Sequence, residues 1–247
     1  MKLRTLVLEG DKEAERKAKE EHPPARTKSE YLRRKRRENL PPLFQRSFYL
    51  CRMIEEELEG TVIDGSGKIT VCAHNDRVYP GAKKYICDRT FHISIYYLEQ
   101  EQIDAIEKAA DQDTESTVLP VILREVLLDI AHRSGCSEAV IKRIEAAFAH
   151  MADSGFTREE RIARLSKRSK DTGLTAQVYR VLSRETGEGW YLEIADRKGT
   201  VLRRETIGGS PGYVNRLGSG LYAKAEWRGD AFVITERFGK EVFRTGV

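Results

Sequence analysis

Residues 175–184 read TAQVYRVLSR, and residues 189–196 read GWYLEIAD. In both stretches apolar and polar side chains alternate, which is the period of a β-strand with one buried face. The pattern returns further along, and glycine-bearing turns at 197–199, 228–230 and 238–240 separate several of the segments. The additional strands are predicted at 200–206, 221–228, 231–237 and 240–245. Six short strands joined in this way predict an antiparallel β domain, as a meander, sandwich or small barrel.

The chain before this domain has mainly helical spacing of its apolar residues. A helix is predicted over residues 43–58, after two prolines and before Gly60. Further helices are predicted at 100–111, 118–133, 137–152 and 157–169. Strands are predicted at 1–9 and 85–97, and at 61–63 and 68–71 as a hairpin around residues 64–67.

These elements predict an α+β protein with three parts. Residues 1–42 form a charged N-terminal arm, and residues 43–170 form a mixed domain of strands and helices. Residues 171–247 form the small antiparallel β domain.

Charge is distributed unevenly along the 247 residues, although the net charge is only +4. Residues 1–60 have a net charge of +3, residues 61–156 have −5, and residues 157–247 have +6. Phosphate binding depends on local positive potential, so the two ends are the expected sites of contact with a polyanion. The four cysteines are scattered, and no signal-peptide or membrane-spanning run is visible, so a cytoplasmic protein is expected.

A strand followed by two helices is predicted in the middle of the chain. Residues 89–97 read RTFHISIYY, apolar residues recur at helical spacing from Ile103, and residues 122–127 read ILREVL after a polar turn. Residues 89–133 therefore resemble the ribbon-helix-helix family of DNA-binding proteins. The resemblance implies a homodimer, in which strands from two chains pair into a ribbon that enters the major groove.

The resemblance also implies a set of DNA contacts. On the polar face of the strand, His92, Ser94 and Tyr96 are expected to read base edges, with Arg89 beside them. Backbone amides near Ser116 and Thr117 are expected to hold a phosphate at the start of the second helix. The alternative is an ordinary strand-helix-helix unit, whose strand pairs within its own chain with residues 68–73.

Two basic segments are further candidates for phosphate contact. The first contains Arg26, Lys28, Arg33, Arg34, Lys35, Arg36 and Arg37. The second lies on the helix predicted over 157–169 and contains Arg161, Arg164, Lys167 and Arg168. For the first segment, the alternative is a solvated basic helix or a disordered arm.

Three further sets of residues have types that can bind a metal, a phosphate or a ligand. For each set, a structural role is the simpler interpretation. Cys72, His74, Cys87 and His92 are zinc-type ligands, but their spacing favours core cysteines and a histidine on the polar face. The DGSGK sequence at 64–68 lacks a glycine of the phosphate loop and is interpreted as a turn. The aromatic residues of the β domain are interpreted mainly as core, with a ligand cavity as the alternative. No nucleophile and base occur at a recognisable spacing, so no catalytic residue, metal or cofactor is expected.

The sequence thus predicts a non-enzymatic nucleic-acid-binding protein that acts as a regulator or accessory factor. Under this hypothesis DNA is expected as the partner rather than RNA, and no membrane is expected to take part. The alternative is a protein-protein interaction module, such as an inhibitor, immunity or assembly protein, with the C-terminal β domain as its docking surface.

Overall fold

The computed structural model describes residues 1–10, 42–73, 84–111, 114–208 and 222–246. The chain divides into two compact units, Met1–Phe156 and Thr157–Val247. Both helices and antiparallel sheets are present, so the predicted α+β class is confirmed. The basic segment at 26–37 and the predicted ligand His74 lie outside the described residues. No described helix has the length and apolar composition that crossing a membrane requires.

Unit 1 contains a four-stranded sheet in the order β1-β2-β4-β3. The strands are β1 (Thr5–Gly10), β2 (Lys68–Ala73), β3 (Tyr85–Asp88) and β4 (Ile93–Tyr97). β1, β2 and β4 run parallel, and β3 pairs antiparallel with β4. Ile69, Val71 and Cys72 of β2 are all buried, as expected for a strand inside a parallel sheet.

The hairpin predicted around residues 64–67 is wrong. Residues 61–63 form no strand, and β2 pairs in parallel with β1 and β4 instead. The turn exists, because the Ser66 amide donates to Asp64 Oδ1 over 2.8 Å. However, the Gly67 amide donates to the His92 carbonyl over 2.9 Å. The turn is therefore bonded to the β3–β4 connection and not to a hairpin partner.

The described helices of unit 1 bury apolar side chains. They are α1 (Leu43–Arg46), α2 (Phe48–Glu57), α3 (Gln100–Asp111), α4 (Glu115–Arg133) and α5 (Glu138–Asp153). On α5, Ile144, Ala147, Phe148 and Met151 are buried at the spacing of one helix face. α2 is joined to β1 by a hydrogen bond of 2.7 Å from the Leu6 amide to Glu55 Oε1.

The described part of unit 2 contains two antiparallel sheets. The first contains β5 (Arg158–Arg161), β6 (Lys167–Arg168), β7 (Thr175–Ser183), β8 (Gly187–Ala195) and β9 (Val201–Gly208). Its order is β5-β7-β8-β9, and β6 also pairs with β7. The second sheet contains β10 (Lys224–Arg228), β11 (Ala231–Thr235) and β12 (Glu241–Gly246). Both sheets contribute to one core, which includes Val178, Trp190 and Leu192 from the first and Phe232 and Ile234 from the second.

The helix predicted over residues 157–169 is also wrong. This segment forms β5, a single 3-10 turn at Ala163–Leu165, and β6. Ile162 and Leu165 both contribute to the core, a spacing that suits a helix as well as this turn. The Ile162 amide donates to the Val178 carbonyl over 2.7 Å, and the Val178 amide donates to Ser166 Oγ over 3.1 Å. Pairing with β7 therefore determines the conformation of the segment.

Candidate nucleic-acid interface

The strand predicted to read DNA lies inside the sheet of unit 1. β4 pairs with β2 on one side and β3 on the other, so it has no open edge. Ser94 is 0% exposed and Tyr96 is 2% exposed. The Ser94 hydroxyl donates to Asp64 Oδ2, and the Tyr96 hydroxyl donates to Asp129 Oδ2 over 2.7 Å. The prediction that these two residues contact base edges is wrong, because carboxylates within unit 1 bind their hydroxyls.

The pairing of β4 confirms the alternative interpretation of this region. Lys68–Cys72 of β2 lies opposite Ile93–Tyr97 in the same chain. His92 precedes the strand, in a turn with a φ of 54°. His92 and Arg89 are exposed, but they belong to this turn and do not form a ridge along a strand.

The start of α4 does not offer the predicted phosphate clamp. The Thr117 amide donates to the Thr114 carbonyl over 3.0 Å. Glu115, which lies beside Ser116 in the first turn, is buried. Its Oε1 atom forms an ion pair with Arg46 Nη2 over 2.8 Å. The first turn of α4 therefore holds a buried carboxylate that is paired with an arginine of α1.

The second basic segment divides between two roles. Arg164 donates to the carbonyl oxygens of Tyr222 and Ala223 over 2.7 and 3.0 Å, so it connects parts of unit 2. Lys167 is exposed, and its carbonyl accepts from Trp227 Nε1 over 3.0 Å. Arg161 and Arg168 are exposed on β5 and β6. They lie opposite Tyr179 and Thr175 of β7.

Arg161 and Arg168 belong to one face of the first sheet. Residues that lie opposite each other across strands share a face, and so do alternate residues along β7. This face points away from the core, which the intervening residues Ala176 and Val178 enter. It is called the outer face below. Its residues include Glu159, Arg161, Arg168, Thr175, Gln177, Tyr179, Tyr191, Glu193, Arg204 and Thr206.

Three outer-face side chains form a stack, called the tyrosine ladder below. The rings of Tyr179 and Tyr191 are 4.8 Å apart between centroids, with an interplanar angle of 13°. Arg204 Cζ lies 4.6 Å from the centroid of Tyr191. Glu193 Oε1 accepts from Arg204 Nε over 2.9 Å, and Gln177 Oε1 accepts from the Tyr179 hydroxyl over 2.7 Å. Neighbouring polar side chains thus hold the ladder in place.

The surroundings of both tyrosines raise the pKa of the phenol above its ordinary value, so both are protonated at neutral pH. Burial raises the pKa of Tyr191, and nearby Glu159 raises it further. Burial and then Glu193 raise the pKa of Tyr179, while Arg161 acts in the opposite direction. The ladder therefore presents neutral aromatic rings between two arginines.

The sequence pattern already contained the signal for the ladder. Trp190, Tyr222 and Phe232 are buried, as their interpretation as core predicted. Tyr179 and Tyr191, however, alternate with the buried residues Val178 and Leu192. The period of two places both tyrosines on the opposite face from the core. Assigning the aromatic residues to the core as a group obscured this.

A polar cluster in unit 1 is the other notable constellation. Asp64 Oδ2 accepts from the hydroxyls of Tyr85, over 2.7 Å, and of Ser94. Ser66 Oγ lies 2.7 Å from Ser94 Oγ, and both serines are buried. The hydroxyl groups are satisfied within the cluster, and those of the two serines are buried. The cluster joins β3, β4 and the turn before β2, which is a structural role.

The predicted zinc-type ligands are spread over different elements. Cys72 is buried on β2, Cys87 is half-buried on β3, and His92 lies in an exposed turn. Among the residues that the structure describes, no group of three or more His, Cys, Asp or Glu side chains has the arrangement of a metal site.

On the outer face, exposed arginines and stacked aromatic rings share one side of a sheet. No protein-family model, curated protein or solved structure matches the chain. A function therefore has to be inferred from the residues of the chain itself.

Proposed function

We propose that the chain is a non-enzymatic nucleic-acid-binding protein whose contact surface is the outer face of unit 2. The observation that carries this proposal is the position of Arg161 and Arg168 on the same face as the tyrosine ladder. Arginine provides charge and a planar donor group for phosphate, and aromatic rings provide surfaces for bases. Residues 157–247 also have a net charge of +6, which attracts a polyanion.

The acidic residues of the outer face define which arginines bind phosphate. Glu193 accepts hydrogen bonds from Arg204, so this guanidinium contributes mainly its planar surface. Phosphate contacts therefore fall to Arg161 and Arg168. Two contacts on a single strand give a slope of about −1.4 for the logarithm of affinity against the logarithm of salt concentration.

For the biological role, the proposal keeps the hypothesis that the sequence suggested. We propose a regulator or accessory factor in the cytoplasm, with DNA as the first polymer to test. The homodimer implied by the ribbon is not part of the proposal, because β4 is paired on both sides within its own chain. The outer face requires no second copy.

Fluorescence anisotropy with labelled single-stranded DNA, single-stranded RNA and duplex DNA tests the proposal. The double variant Arg161→Ala/Arg168→Ala should weaken binding roughly tenfold at low salt, through the loss of two phosphate contacts. The matched control is Arg228→Ala/Arg244→Ala, which removes two charges from the second sheet. Arg228 and Arg244 are half-exposed and pair with Glu226 and Glu241.

Two outcomes would contradict the proposal. The first is no binding to any of the three polymers at low salt. The second is an equal loss of affinity in both double variants, which indicates non-specific attraction. Circular dichroism spectra and thermal melting should show that each variant remains folded.

An exposed strand edge favours a second candidate, the protein-interaction module. β9 ends the first sheet, and within the described residues it pairs only with β8. Its side chains Val201 and Leu202 are 48% and 57% exposed. A partner strand can add to such an edge through backbone hydrogen bonds. This mode predicts binding that is indifferent to salt and unchanged in Arg161→Ala/Arg168→Ala.

A further inference from the structure

We infer that the outer face is specific for single strands, because an unpaired base stacks on the ring face of Tyr179 that is turned toward β5, beside Arg161. This inference rests on the proposed function and specifies its ligand. It concerns the end of the tyrosine ladder nearest to β5.

The geometry of the ladder determines which ring face is open. The centroid separation of 4.8 Å between Tyr179 and Tyr191 equals the usual spacing of adjacent strands. With an interplanar angle of 13°, the rings therefore stack along the direction that leads from β7 to β8. Tyr191 has Tyr179 on one ring face and Arg204 on the other. The second ring face of Tyr179 points toward β5.

The residue beside this ring face is a cation. Arg161 lies directly opposite Tyr179 in the pairing of β5 with β7, and it is exposed. An aromatic base at this position continues the stack by one layer and lies next to a guanidinium. Both contacts are favourable, since bases stack on tyrosine and arginine interacts with the faces of π systems.

The edge of the sheet beside Tyr179 carries both candidate phosphate contacts. β5 contains only four residues and ends the sheet order on this side. Arg168 lies further along the same edge, opposite Thr175, which is four residues from Tyr179 on β7. Four residues of an antiparallel strand span about 14 Å. Arg161 and Arg168 can thus contact phosphates on the two sides of a stacked nucleotide.

Base pairing removes this mode of binding. A base within a duplex is covered on both faces by its neighbours, whereas an unpaired base can turn one face toward a side chain. Any base can stack on the tyrosine ring, and any phosphate can pair with the arginines. We therefore expect a preference for single strands over duplexes, with little dependence on sequence.

The test combines affinity with a stacking signal. Tyr179→Leu keeps an apolar side chain but removes the ring, and we expect single-strand affinity to fall roughly 5- to 100-fold. Tyr179→Phe is the matched control: it keeps the ring and loses only the hydroxyl bond to Gln177, so it should retain most of the single-strand affinity that Tyr179→Leu loses. A single strand containing 2-aminopurine should show fluorescence quenching with the wild type and Tyr179→Phe, but not with Tyr179→Leu.

The outcomes separate this inference from the proposed function. If duplex and single strand bind equally, or if Tyr179→Leu binds unchanged while Arg161→Ala/Arg168→Ala is weakened, the inference is overturned and the proposed function stands. Absence of binding to every polymer overturns both. Should Tyr179→Leu fail to fold, the wild-type experiment decides, since a bound strand without 2-aminopurine quenching contradicts stacking.

Discussion

At the scale of single residues, the four cysteines differ in chemical surroundings. Cys51 and Cys72 are buried, whereas Cys87 and Cys136 are half-buried. Burial, followed by nearby Glu55, raises the pKa of Cys51 to about 12. Burial, followed by Glu9, raises the pKa of Cys72 to about 11. Since the thiolate is the reactive form, these differences predict an order of modification.

We predict that iodoacetamide at pH 8 modifies Cys87 and Cys136 before Cys51 and Cys72. Because burial raises the pKa of Cys51 to about 12, very little of this side chain is a thiolate at pH 8. Raising the pH should speed its modification, because the thiolate fraction rises toward the pKa. Peptide mass spectrometry after timed quenching measures the four rates, and urea-unfolded protein provides the control. Equal rates for Cys51 and Cys87 in the folded protein would contradict the prediction.

At the scale of elements, Tyr96 links the sheet of unit 1 to α4. Its hydroxyl donates to Asp129 Oδ2 over 2.7 Å, and Arg133 Nε donates to the same oxygen over 2.8 Å. Burial raises the pKa of Asp129, but the hydrogen bonds from Arg133 and Tyr96 outweigh it, so the net shift is downward. The bond from Tyr96 therefore stabilises the fold mainly while Asp129 is ionised.

We predict that Tyr96→Phe lowers the free energy of unfolding of unit 1 by about 1 to 3 kcal/mol at neutral pH. The folded-state pKa of Asp129 lies below the unfolded value of about 3.9, so this stabilisation is present above that value. It is lost as the pH falls through the folded-state pKa, and the difference between wild type and variant should then shrink. Urea unfolding followed by circular dichroism at 222 nm measures it.

The same variant tests the position of β4. Because Tyr96 is buried, Tyr96→Phe should leave the affinity for nucleic acid unchanged. A large loss of affinity in folded Tyr96→Phe would show that β4 takes part in binding after all.

Sequence patterns predicted elements best where the interacting residues are close in the chain. Strands β7 to β12 of unit 2 pair mostly with their sequence neighbours, and their alternation was sufficient to find them. The helix predicted at 157–169 failed because Ile162 and Leu165 fit two conformations, and pairing with β7 selects one. The hairpin at 64–67 failed because β2 pairs with β1, more than 50 residues earlier.

The site residues, too, were predicted best where their partners are close in the chain. Ser94 and Tyr96 have the polar groups expected of an exposed face, but their partners Asp64 and Asp129 lie 30 and 33 residues away. A local pattern cannot show that such distant carboxylates satisfy them. The tyrosine ladder, in contrast, depends on alternation within β7 and β8, which the sequence does reveal.

At the scale of the whole molecule, the two units have separate spectroscopic reporters. The described α-helices all lie in unit 1, and both tryptophans, Trp190 and Trp227, lie in unit 2. Unit 2 also has a core of its own, to which Trp190 belongs. Circular dichroism at 222 nm therefore follows mainly unit 1, and tryptophan fluorescence follows unit 2.

We predict that a single-stranded oligonucleotide raises the urea midpoint of the fluorescence transition and leaves the circular dichroism transition in place. A ligand that binds only the folded state stabilises it by about 2.7 kcal/mol at a concentration of 100 times its Kd. That stabilisation should appear in unit 2, because the outer face belongs entirely to it. Arg161→Ala/Arg168→Ala should show a smaller shift at the same oligonucleotide concentration. If the circular dichroism midpoint moves alone, unit 1 holds the nucleic-acid site and the outer face does not.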